Sequence, residues 1–206
     1  MLGLPKATEL NKQLPKTAIY AKFQMNTAAK AKFDADISRI SIVGEISPRT
    51  VGIAAGESIA SIFVLLVSLK HKDFQVNTIA QISKLIDQNM LLVLEHEGQR
   101  KLAIYHTKLI QTDWIPADNC TVALNGLDLD SVWENLIVQV GGITIQHGNT
   151  LDQQIVADEK QAKLEKEIAR LEKLARAEKQ PKKKFELVQQ INSLRSRIEG
   201  ANKWEV

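Results

Sequence analysis

Apolar residues change their spacing several times along the chain, and each change marks an element. Two Leu-Pro-Lys triplets, at residues 4–6 and 14–16, bound short elements near the start. Proline fixes φ and pushes the residue before it towards extended backbone. Between the triplets, residues 7–13 read as a short helix, and residues 17–23 read as an extended segment or a helical turn. Asn26 or Thr27 then offers an N-cap for a helix of good formers, with Phe33, Ile37 and Ile40 on one face. From Ile40 the spacing turns strand-like, and "RISIVGEI" and "TVGIA" flank a turn at Ser47-Pro48-Arg49. The run "IASIFVLLVSL", residues 59–69, is apolar on both faces in its middle, which predicts a central strand covered on both sides.

Beyond it, Asn77 caps a predicted helix that presents Ile79, Ile82, Leu85 and Ile86 on one face. "MLLVLEHE" and "RKLAIYHT" form the clearest hairpin. A two-residue Gly98-Gln99 loop of type II′ would set Glu97 opposite Arg100 and His96 opposite Lys101. "TDWIPADN" reads as loop and "CTVAL" as a short strand. Asp128 or Asp130 starts a helix that buries Val132, Trp133, Leu136, Ile137 and Val140 and stops at Gly141-Gly142. The sum is an α+β fold, an antiparallel or mixed sheet with packed helices. Residues 1–150 form its core domain, and residues 151–206 form a C-terminal antiparallel, coiled-coil-like helical hairpin.

The hairpin rests on two narrow apolar seams. Leu164, Ile168, Leu171 and Leu174 or Ala175 recur at three- and four-residue steps before Pro181, and Leu187, Val188, Ile191, Leu194 and Ile198 do so after it. Proline is tolerated at the first position of a helix but not in its interior, so a tight turn is expected at residues 179–181. The expected arms are 152–179 and 181–199, with Gly200 closing the second. At the bend, Arg176, Lys179, Lys182, Lys183 and Lys184 gather, and the last three oppose the dipole of their own helix. Two readings compete for them: a solvated tip that keeps the hairpin soluble, or a site for a phosphate backbone or an acidic protein surface. The seam likewise admits folding back on the core, docking on a larger partner, or pairing with its copy in a homo-oligomer.

Charge sharpens this picture. The first 150 residues balance 14 basic against 14 acidic side chains, whereas the last 56 carry 13 against 10, so the whole net charge of +3 lies in the arm. The longest apolar run has about half the length that a bilayer crossing needs, so no membrane segment is expected. Residues 1–12 lack the apolar core of an export signal, and Cys120 is the single cysteine. Both point to a reducing cytoplasm.

Catalytic patterns are sparse. His71, His96, His106 and His147 are scattered without metal-ligand spacing, and no glycine pattern cradles a nucleotide, so neither metal nor cofactor is expected. Aromatic residues make up only 5% of the chain, which gives little support to a base-stacking face. The best catalytic alternative is a divergent metal-dependent nuclease using Glu95, Glu97 and Lys101, with Asp73 or Glu57 as a further acid. Glu95 and Glu97 read more simply as the solvent side of a hairpin.

"LPKATELNKQLPKTAIY", "SPRTVGI", "LVLEHEGQRKLAIYHT" followed by "TDWI", and above all "EKQPKKKFEL" give the chain its resemblance to a bacterial family classed as a domain of unknown function. The resemblance covers nearly the whole length. It implies a setting: members are often encoded beside DNA methyltransferases and helicases of restriction and phage-defence clusters. It implies no catalytic residues. The expectation is therefore a non-enzymatic accessory subunit that docks a helicase or methyltransferase, and DNA as a further ligand, through the basic arm.

Overall fold

The computed structural model describes residues 2–203, with side chains through residue 198. In order, the chain forms β1 (Glu9–Leu14), α1 (Lys16–Lys22), α2 (Thr27–Asp36), β2 (Ile37–Ile46) and the single turn α3 (Pro48–Val51). Then come β3 (Ile62–Leu69), α4 (Val76–Ile82), β4 (Asn89–His96), β5 (Gln99–Tyr105), β6 (Leu109–Gln111) and β7 (Ile115–Pro116). Three helices end the chain: α5 (Leu129–Gly141), α6 (Leu151–Ala177) and α7 (Pro181–Lys203). Two compact units divide after Ile143.

The first unit is α+β. Its sheet runs β1-β2-β3-β4-β5-β6, and β7 pairs with β5 beyond the end of β6. Among the pairs of named strands in the described residues, only β3–β4 is parallel. A parallel pair needs a crossover, and the segment carrying α4 supplies it. The apolar run lies in the middle, as its two-sided pattern predicts, with Leu65 and Val67 fully buried. Residues of one parity, Leu65, Val67, Leu92 and Leu94, share a core with Ile19 of α1, Phe33 of α2, and Ile79 and Ile82 of α4. The opposite parity, including Ile62, Leu91, Val93 and Ile104, is equally buried, on the side where α5 lies against β5 and β6. The predicted inner face of α5 is buried at every position, its Asp128 carboxylate accepts from the Ser131 N–H, and Gly142 ends it in a left-handed turn at φ 58°.

Several local expectations are corrected. The segment expected as a short helix is mostly strand β1; its residues are nearly all exposed, and it is held by its ladder to β2 rather than by burial. Ile37 and Ile40 belong to β2, not to the preceding helix, which ends at Asp36. "TVGIA" is not a strand: Ser47 and Thr50 form a capping box around α3, and Gly52 stops it at φ 72°. Helix α4 starts one residue before Asn77. Its first turn is satisfied by a carboxylate distant in sequence, since Asp36 accepts from the Gln75 N–H and the Thr78 hydroxyl. "CTVAL" makes no strand, and the short strand falls at Ile115–Pro116 within the expected loop.

The β4–β5 loop is Glu97-Gly98, with φ of 45° and 75°, rather than Gly98-Gln99. Two consecutive positive φ values are the requirement of a type I′ turn. Moving the loop back by one residue shifts the register by two, and Glu95 sits opposite Arg100, His96 opposite Gln99 and Leu94 opposite Lys101. An ion pair of 2.9 Å between Glu95 and Arg100 locks this pairing.

The second unit is the helical hairpin, with α6 and α7 packed together. Among the described residues no helix is long and apolar enough to cross a membrane.

The basic bend as candidate functional site

The bend is built by ordinary capping chemistry. Helix α6 starts with a reciprocal box, in which Thr150 Oγ1 accepts from the Gln153 N–H and Gln153 Oε1 accepts from the Thr150 N–H. It stops at Ala177 because Glu178 turns extended, while the Glu178 N–H still closes on the Leu174 carbonyl. The Glu178 carboxylate then accepts from the Gln180 N–H at 2.8 Å, and Pro181 opens α7. The link is thus residues 178–180, one residue earlier than the proline alone suggests. At its far end α7 does not close at Gly200 but continues to Lys203.

Seam residues divide unequally. Leu171, Ala175 and Ile191 are buried together, with Ile168, Leu187 and Leu194 packed half-buried around them. Leu164 is half-buried lower on α6. Leu174 is corrected: it is 45% exposed, and Ala175 takes the seam at that level. Alanine lets the two backbones approach where leucine would hold them apart. Glu172 fastens the arms from outside, accepting from Arg195 of α7 at 2.7 Å with Arg176 nearby at 3.7 Å. On α6 a forked Arg170–Glu167 pair at 2.7 Å holds the Glu167 carboxyl below the usual carboxylate range.

Four of the five predicted cations stand free of such ties. Lys179, Lys182, Lys183 and Lys184 are exposed, and among the described residues none has an acidic side chain within ion-pair distance. The side chain of Arg176 is 83% exposed. Beside them lies an open depression of about 700 Å³ whose lining includes Leu174, Leu187, Lys179, Lys183, Glu178 and Glu186. Across residues 172–186, six basic side chains face three acidic ones. Val188, expected in the seam, is 40% exposed and lies outside the packed cluster, and Phe185, which the seam pattern does not include, is 62% exposed. The signal was present: Phe185 is the one aromatic residue of the α7 run 181–198, and it falls off the seam spacing. The bend offers cations and apolar side chains; that is binding chemistry.

The nuclease candidates lie on other elements. Glu95 is engaged by Arg100, Glu97 projects from the turn, and the Lys101 ammonium sits 5.5 Å from the centre of the Trp114 ring. The Glu57 N–H donates to Asp130, so that loop is committed to a structural contact. Among the described residues no three His, Cys, Asp or Glu side chains are grouped to hold a metal ion. Cys120 is buried, and desolvation pushes its thiol up from the ordinary range.

A family model described as "Domain of unknown function (DUF4391)" matches residues 2–198. No curated protein and no solved structure matches the chain.

Proposed function

The chain belongs to this family of unknown function across residues 2–198, and from that premise we propose that it is a non-enzymatic adaptor subunit of a bacterial restriction or anti-phage defence assembly. The α+β unit is the folded body, and the hairpin bend docks a helicase or DNA methyltransferase partner, with DNA as a further ligand. One observation carries the reading: a capped, ion-paired two-helix hairpin presents Arg176, Lys179 and Lys182–Lys184 to solvent, four of the five without an acidic side chain within ion-pair distance among the described residues. A stable fold gains nothing from leaving three lysines together on the first turn of a helix, where they oppose its dipole. An anionic surface placed there removes that penalty. The implied genomic setting of the family supplies the class of partner.

The test is affinity purification of the intact chain from its own host, followed by mass spectrometry. A helicase or DNA methyltransferase encoded alongside it is expected at near-stoichiometric yield. Recovery of the chain alone, in low salt and with native expression of its neighbours, contradicts the adaptor role.

A further inference from the structure

Helix α7 carries a second stripe, turned away from its seam. Pro181, Phe185, Val188 and Asn192 succeed one another at four-, three- and four-residue steps, which aligns them along one face. All four are exposed, whereas Leu187, Ile191, Leu194 and Ile198 on the seam side are buried or half-buried. Lys182 and Lys184 flank the stripe on either side, and the next position along it, Arg195, is paired with Glu172. The single acidic residue between 181 and 198 is Glu186, and it belongs to the depression on the other side with Lys183. The outer face of α7 therefore presents Phe185 and Val188 with a lysine at each margin, Lys182 on one side and Lys184 on the other.

We infer that this face binds an acidic amphipathic helix of the partner protein, laid along α7. Its apolar residues would cover Phe185 and Val188, and its carboxylates would meet Lys182 and Lys184. The inference deepens the adaptor reading and rests on it. A second copy of the chain is a poor occupant, because a two-fold pairing of this stripe sets like charges against each other. A DNA duplex satisfies the lysines but leaves the phenyl ring and the valine without an apolar counterpart, since its backbone offers phosphates and sugars. Helix-on-helix docking uses both features, with anchors at three- and four-residue steps and charges at the edges.

Photo-crosslinking reads the answer. Phe185 is replaced by p-benzoylphenylalanine in the full chain, which is expressed in its host and irradiated, and the crosslinked peptide is sequenced. An acidic helical segment with apolar residues at three- and four-residue spacing is the expected product, and Phe185→Ala should then weaken that complex by about tenfold or more. A nuclease-sensitive adduct, or a crosslink to a basic or non-helical segment, overturns the inference while leaving the adaptor reading standing. So does an absent crosslink, or a complex unchanged by Phe185→Ala, when the partner still co-purifies. Loss of co-purification from the wild-type chain is the separate result that removes both.

Discussion

Asp130 shows how a single side chain sets backbone. Its carboxylate accepts from three successive N–H groups, of Glu57, Ser58 and Ile59, at 2.8, 3.2 and 2.9 Å. The approach is so close that a Cβ on Gly56 would stand 2.1 Å from the carboxylate. Gly56→Ala must break the cradle or push Asp130 out. A loss of about 2 kcal/mol or more is expected, measured by chemical denaturation. Tyr20 sets a pH dependence. Burial first, and then its hydrogen bond to the Asp34 carboxylate, push the phenol up to about 12 from its ordinary 10.0. The unfolded chain gives up this proton at lower pH than the fold does. The contribution is therefore fully present below pH 10 and is lost as pH rises towards about 12. Tyr20→Phe should flatten the fall in stability across that window, and an unchanged slope would show that other groups cause it.

At the scale of elements, the hairpin separates seam from spacing. Ile191→Ala removes a side chain enclosed by Leu171 and Ala175 and should cost about 2–4 kcal/mol, seen as faster amide exchange along α6 and α7. Leu174→Ala, at an exposed position, should leave exchange nearly unchanged. The sequence permits both residues in the seam, since three- and four-residue steps each continue the pattern; the fold buries Ala175 and leaves Leu174 45% exposed. The same distinction runs through the fold. Strand β3 and helix α5 were legible because their apolar patterns admit one solution: a strand too short for a helix and covered on both sides, and a helix with a single wide face. Strand β1 was not, because its exposed residues carry no alternation to read. The β4–β5 register was missed for the opposite reason. The expected and observed registers differ by two residues and keep every side chain on the same face, so alternation could not fix the pairing, and the turn geometry and the Glu95–Arg100 contact decide it. Helix α4 was misjudged because its first-turn partner, Asp36, lies 39 residues before Gln75. In the candidate site, the lysine cluster was plain from composition, while the exposure of Phe185 depends on which helical face the seam occupies.

On the scale of the whole molecule, charge is segregated. The first 150 residues are neutral overall, and the excess of +3 belongs to the remainder. Attraction to an acidic partner would thus be delivered by the arm and weakened by salt, over a screening length of about 8–10 Å near physiological ionic strength. The most direct measurement compares the wild-type chain with Lys182→Glu/Lys183→Glu/Lys184→Glu for binding to the co-purified partner across a salt series. The account predicts the same helicity and melting temperature within a few degrees for both, with binding abolished in the variant and falling with salt in the wild type. Undiminished binding of the variant at low salt would contradict it.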